Sequence, residues 1–148
     1  PPRSTLFPYT TLFRSVLVKQ CKVKLDMAFI VESSSRMSSD NWEKMLKFIL
    51  QLSSEFEVSS NATRIAIVSY SSEAKVYLKF NDIQKYKNPI EEMAEVINAI
   101  PQMPGYFYID KGLRLTQEEV FVERNGMRID TQKVTILTYQ TLPLLMHS

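Results

Sequence analysis

The chain has very little of what most enzyme sites are built from. Among 148 residues there is one cysteine, Cys21, one histidine, His147, and three glycines, Gly105, Gly112 and Gly126. Without a His or Cys cluster, no zinc site of the usual spacing can be assembled. A Ser-His-Asp or Cys-His arrangement is excluded on the same ground, because the only imidazole lies at the carboxyl end, where chains are usually loose. Three isolated glycines leave neither a GxGxxG turn nor a GxxxxGK[ST] loop, so the common phosphate cradles are missing. No apolar run approaches the ~20 residues of a membrane helix, which argues against membrane insertion. The amino end lacks the charged, apolar and small-residue zones of a secretory leader. Charge is equally bland: 18 Lys and Arg against 16 Asp and Glu give +2, with no run of five like charges to imply nucleic acid.

What is present is enough for one globular domain, at 45% hydrophobic and 23% charged residues. Residues 4 to 15, STLFPYTTLFRS, repeat Thr-Leu-Phe at a six-residue spacing and read as translated adapter text. Residues 1–20 are therefore set aside as a non-native or disordered leader, the alternative being a short aromatic anchoring strand. The domain is expected over 21–140, with 141–148 as a tail.

Residues 25 to 31, LDMAFIV, form a nearly continuous apolar run, as in a strand buried on both faces of a parallel sheet. Asp40 with Glu43 three residues on suggests a helix start, followed by Trp42, Met45, Leu46, Ile49, Leu52 and Phe56 at helical spacing. RIAIVSY, residues 64 to 70, gives a second strand parallel to the first through a right-handed crossover. Residues 74 to 80 alternate, with Val76, Leu78 and Phe80 on one side and Lys75, Tyr77 and Lys79 on the other, which predicts an antiparallel edge strand. Asn88, Pro89 and Glu91 open a helix carrying Ile90, Met93, Ala94 and Ile97, closed by Pro101. A third helix is expected from about Ile109 to Glu123, ending near Asn125-Gly126, and a fourth strand at 133 to 138.

The order β-α-β-β-α-α-β predicts an α/β fold: a doubly wound, Rossmann-like, mostly parallel sheet with an antiparallel edge strand. In such sheets ligands bind beyond the carboxyl ends of the strands, where successive connections turn to opposite faces. Here that point lies between strands one and four. It gathers Glu32, Ser33, Ser34, Ser35 and Arg36 of VESSSRM, Tyr139 and Gln140 after the fourth strand, and Tyr106, Phe107 and Tyr108 before the third helix.

These residues resemble a von Willebrand factor type A (VWA) domain of the adhesion and extracellular-matrix type. DMAFIVESSSRM, YIDKGLRL and KVTILTYQ carry the resemblance, which covers about residues 22 to 140. It implies a metal-ion-dependent adhesion site in which an Asp-x-Ser-x-Ser loop, a Thr and a further Asp hold a divalent cation, usually magnesium. The corresponding positions here are Glu32, Ser34, Arg36, Phe107 and Tyr139. Only two of the five keep an oxygen suited to the ion, and magnesium requires near-octahedral oxygen ligation. The expectation is a degenerate site with no metal and no cofactor. Arg36 either pairs with Glu32 as counter-charge or points into solvent. The aromatic residues either anchor a partner or pack over the sheet edge.

Asn61 opens the triplet Asn-Ala-Thr, an N-glycosylation acceptor, and agrees with a secreted chain. The resemblance implies a disulfide for Cys21, for which no partner exists in the sequence, so a missing segment or an intermolecular bridge is expected. It also implies further strands after the fourth, so the domain reads as incomplete at the C-terminus. The functional expectation is a non-catalytic module of a secreted or matrix protein that binds an extracellular protein ligand, such as a collagen or another matrix component. A residual magnesium-dependent adhesion domain and a structural assembly domain of a collagen-like chain are the alternatives. Enzymatic chemistry is left only to a carboxylate pair such as Glu32 with Asp110.

Overall fold

β1 spans Leu25–Glu32, and all of its residues are buried, because it has a strand on each side and helices over both faces. In the computed structural model, which describes residues 19–140, β2 (Thr63–Tyr70) and β4 (Gln132–Thr138) flank β1 and run parallel to it. β3 (Ala74–Leu78) pairs antiparallel with β2, giving the order β3-β2-β1-β4. The readings of residues 4 to 15 and of the 141–148 tail lie outside the described residues.

Side-chain alternation along β1 sorts the core into two layers. Leu25, Met27, Phe29 and Val31 face α1 (Ser39–Ser54) and α2 (Pro89–Asn98), and pack with Trp42, Leu46, Ile49, Met93 and Ile97. Ala28 lies on the other face with Ala66, Val68, Phe80 and Val120, beneath α3 (Ile109–Leu115). Small residues let α3 come close. A Cβ at Gly112 would stand 2.9 Å from Ile30 Cγ2 and 3.1 Å from Tyr70 Cβ, so the helix rests directly on β1 and β2.

The doubly wound, mostly parallel sheet with its antiparallel edge is the expected architecture, and the switch point falls between β1 and β4. Several local expectations need correction. α1 begins at Ser39, not Asp40, because the Ser38 hydroxyl accepts from Asn41 N at 3.2 Å and caps the helix; Asp40 lies in the first turn, where it complements the helix dipole. Val76, Leu78 and Phe80 do not share a side. Ile67 pairs with Leu78 but Val68 pairs with Val76, so Tyr77 is an extra, bulged residue, and Leu78 falls in the layer under α1 and α2. The third helix is not uniform. It widens into a π turn over Thr116–Val120, where the buried Thr116 hydroxyl donates to Gly112 O at 2.7 Å. A 3-10 turn at Phe80–Lys85 carried no sequence signal. Among the described residues, no helix is long and apolar enough to cross a membrane.

Candidate functional site

β1 ends on Glu32, and the loop that follows is fastened on two sides. Toward β2, Ser33 donates to Tyr70 O through both its amide (2.8 Å) and its hydroxyl (3.2 Å). Toward the segment before α3, Met103 N donates to Ser33 O at 2.7 Å and Ser35 N to Met103 O at 2.9 Å, a short parallel bridge. The Gln102 amide donates to Ser34 O and Met37 O. A loop pinned this way holds its side chains in fixed positions at low entropic cost.

Glu32 is fully buried, and its carboxylate is enclosed by donors. Oε1 accepts from Ser34 Oγ at 2.7 Å and from Arg36 Nε at 2.8 Å, and Oε2 accepts from Gln140 N at 2.6 Å. Of the two orientations left open for Arg36, the guanidinium takes the inward one. Its Nη2 also donates to Gln140 O, and its Cζ lies 3.5 Å from the centroid of the Phe107 ring, which forms a floor beneath the charge. A buried carboxylate is tolerated when it is both paired and hydrogen-bonded, and Glu32 meets both conditions.

Beside this pair, Tyr70 OH donates to Thr138 O at 2.8 Å, while Glu32 N donates to Thr138 Oγ1 at 3.3 Å. Burial raises the Tyr70 pKa well above the usual phenol value, and the nearby Glu32 carboxylate adds to the shift. The phenol therefore stays neutral and serves as a donor.

The three aromatic residues before α3 divide. Phe107 is half-buried under Arg36, whereas Tyr106 and Tyr108 pair with each other, ring centroids 6.4 Å apart, and are exposed at 74% and 43%. Tyr139 is also exposed and lines a groove of about 430 Å³ between α1 and β4 with Met37, Met45, Phe48 and Leu137. Glu32, Ser34, Arg36 and Phe107 are thus brought together, with the three tyrosines around them on the outer surface. Asp110 is exposed on α3, 3.9 Å from Arg114, and is not joined to Glu32 by a hydrogen bond. Asn61 and Cys21 belong to the opposite end of the sheet. Cys21 is an exposed free thiol whose backbone bonds to Glu55 O and Glu57 N.

Tyr70, Gln102 and Met103 are the site residues that the sequence did not single out. A tyrosine closing β2 level with Glu32 was the available signal for Tyr70. Met103 holds the loop through backbone groups, which leave no trace in residue type.

An open doubly wound sheet, a serine-bearing loop after its first central strand and a facing loop before the third helix define a class of protein, the Rossmann-like α/β domain with its candidate site at the carboxyl ends of the strands. The chain belongs to the von Willebrand factor type A domain family, whose model matches residues 26–140. Mouse integrin alpha-X is 28% identical over 112 residues, covering 76% of this chain and 9% of that protein. Mouse vitrin is 33% identical over 89 residues, covering 60% of this chain and 12% of that protein. The chain therefore spans about a tenth of the length of these relatives. In fold it is similar to proximal thread matrix protein 1 from the mussel byssus, in a form with a zinc-occupied MIDAS motif. The TM-score is 0.68 at 23% identity, covering 86% of this chain and 33% of that one. The family match and the likeness in fold thus agree on a von Willebrand factor type A domain.

Proposed function

We propose that this domain is a non-catalytic protein-binding module of a secreted or matrix protein, and that it works without a divalent cation. The observation that carries the reading is the position of Arg36, with Nε 2.8 Å from Glu32 and the guanidinium over the Phe107 ring. At the five positions that would hold magnesium, Glu32 already accepts from three donors, position 36 is itself a cation, and position 107 is a hydrocarbon ring. These residues do not fit a hard ion that needs about six oxygen ligands. A fixed positive charge would also repel it.

The surface around the pair supports binding. Met103, Tyr106, Tyr108 and Tyr139 are all exposed large side chains, and the Arg36 side chain retains 23% of its accessible surface. Tyrosine and arginine combine apolar area with polar tips and are over-represented among the anchoring residues of protein interfaces. The partner is read as an extracellular protein, such as a collagen or another matrix component.

Titration with magnesium, followed by thermal shift against an ionic-strength-matched control, tests the cation-free reading. No shift beyond the control is expected, and a magnesium-specific rise would restore the metal. Tyr106→Ala and Tyr139→Ala should weaken capture on immobilised collagen or other matrix proteins while leaving the melting temperature unchanged. Full capture by both variants would remove the interface.

A further inference from the structure

Asn61 lies at the end of the sheet away from the Glu32 loop, in the turn that leads into β2. We propose that it carries an N-linked glycan, attached before β2 pairs with β1. The proposal rests on the reading that the chain is secreted. Asn61-Ala62-Thr63 is the only Asn-x-Ser/Thr triplet in the sequence. Asn61 is exposed and borders a recess with Lys22, Lys24, Glu57 and Ser59, so a sugar there meets solvent and hydrophilic side chains.

The other two residues of the triplet are in the opposite situation. Ala62 is 4% exposed and Thr63 is fully buried. The Thr63 hydroxyl donates to Val23 O at 3.0 Å, and Thr63 N donates to Glu57 O at 3.1 Å. Thr63 O accepts from Ser59 N at 3.1 Å, and Ala62 O accepts from Leu25 N at 3.3 Å and from Arg128 Nη2 at 2.8 Å. A transferase that reads the hydroxyl of an accessible chain finds it in the nascent polypeptide and not in the folded domain. Arg128, which closes over Ala62, is 66 residues further along the chain, so the triplet is complete well before the lock is made.

In the transfer, Asn61 Nδ2 forms a bond to C1 of the first sugar of a lipid-diphosphate-linked oligosaccharide. The C1–O bond to the diphosphate breaks, the lipid diphosphate leaves with the bonding pair, and the amide releases one proton to solvent. Nothing is oxidised or reduced.

The test has two arms. In the first, the full chain is directed into the secretory pathway of a eukaryotic cell by a supplied leader, which separates competence of the triplet from the natural compartment. Wild type should show one mobility step that peptide-N-glycosidase removes, with mass spectrometry locating it at Asn61. Thr63→Ser should retain the step and Asn61→Gln should lose it. An unmodified wild-type chain, beside a glycosylated control protein in the same cells, overturns the site. In the second arm, bacterially produced chain is offered to microsomal transferase either folded or freshly diluted from denaturant. Modification of the denatured chain alone is expected, and equal modification of both overturns the timing. Failure of the natural transcript to enter the pathway would instead count against secretion and leave the first arm's result standing.

Discussion

Asp26 and Glu32 lie on the same side of β1 near its two ends, are both fully buried, and each meets an arginine, yet the two pairs are built differently. At the amino end, Arg128 clasps Asp26 through Nε at 2.9 Å and Nη2 at 2.7 Å, and the Arg128 amide donates to the second carboxylate oxygen at 2.7 Å. The same guanidinium donates to the carbonyls of Leu25, Ala62 and Ser60, which ties β1 to the start of β2. Its side chain keeps 11% of its accessible surface. At the carboxyl end, Arg36 makes one bond to Glu32 and one to Gln140 O, rests on an aromatic ring, and keeps 23%. One pair closes a seam of the sheet with its donors used internally. The other leaves an arginine edge at the surface, ringed by tyrosines. The same two functional groups thus tie strands together at one end and border the surface at the other.

Removing one member of each pair should expose that difference. Asp26→Ala leaves Arg128 charged and enclosed without its counter-charge, and a loss of about 3–5 kcal/mol in urea unfolding is expected. Arg36→Ser leaves the buried Glu32 carboxylate with its Ser34 and Gln140 donors and, by removing a partly exposed guanidinium, lets water reach it, so a smaller loss of about 1–3 kcal/mol is expected. If the two losses were equal, or their order reversed, the contrast between a closed seam and an open edge would be wrong. Phe107→Ala removes the floor beneath Arg36 and should cost about 1 kcal/mol, and combined with Arg36→Ser it should add less than its separate value, because both act on one contact.

A further effect, confined to high pH, is expected on alkaline stability. Tyr70 has a raised pKa in the folded state, so between the ordinary phenol pKa of about 10 and the folded value the native state holds a proton that the unfolded chain has released. Stability should therefore be unaffected by this group below that range and fall as pH rises through it. Tyr70→Phe should flatten this part of the profile, though it also loses the bond to Thr138 O, and an unchanged slope would remove the phenol from the account.

The fold was legible wherever burial on both faces leaves a continuous apolar run. LDMAFIV and RIAIVSY have this character because β1 and β2 are covered by helices above and below, and the Trp42-to-Ile49 face of α1 repeats at the helical period for the same reason. Features decided by a distant partner were not legible. The bulge at Tyr77 depends on how β3 meets β2, and alternation within residues 74 to 80 carries no information about that register. Asp26 stands inside the apolar run, but its arginine is 102 residues away and nothing local selects Arg128 among the basic residues. In the candidate site, residue types located the loop and the cation at position 36. The division of Tyr106, Phe107 and Tyr108 into one ring under a charge and two rings facing solvent needed the three-dimensional arrangement.

The cation beside Glu32 belongs to the same polypeptide, four residues along the chain. An ion held from solution has an occupancy set by its concentration and can be withdrawn by a chelator, whereas a guanidinium on a short tether stays at a high effective concentration at all times. Its presence cannot be titrated away by a chelator, and under the proposed cation-free reading the state of this loop is set when the chain folds.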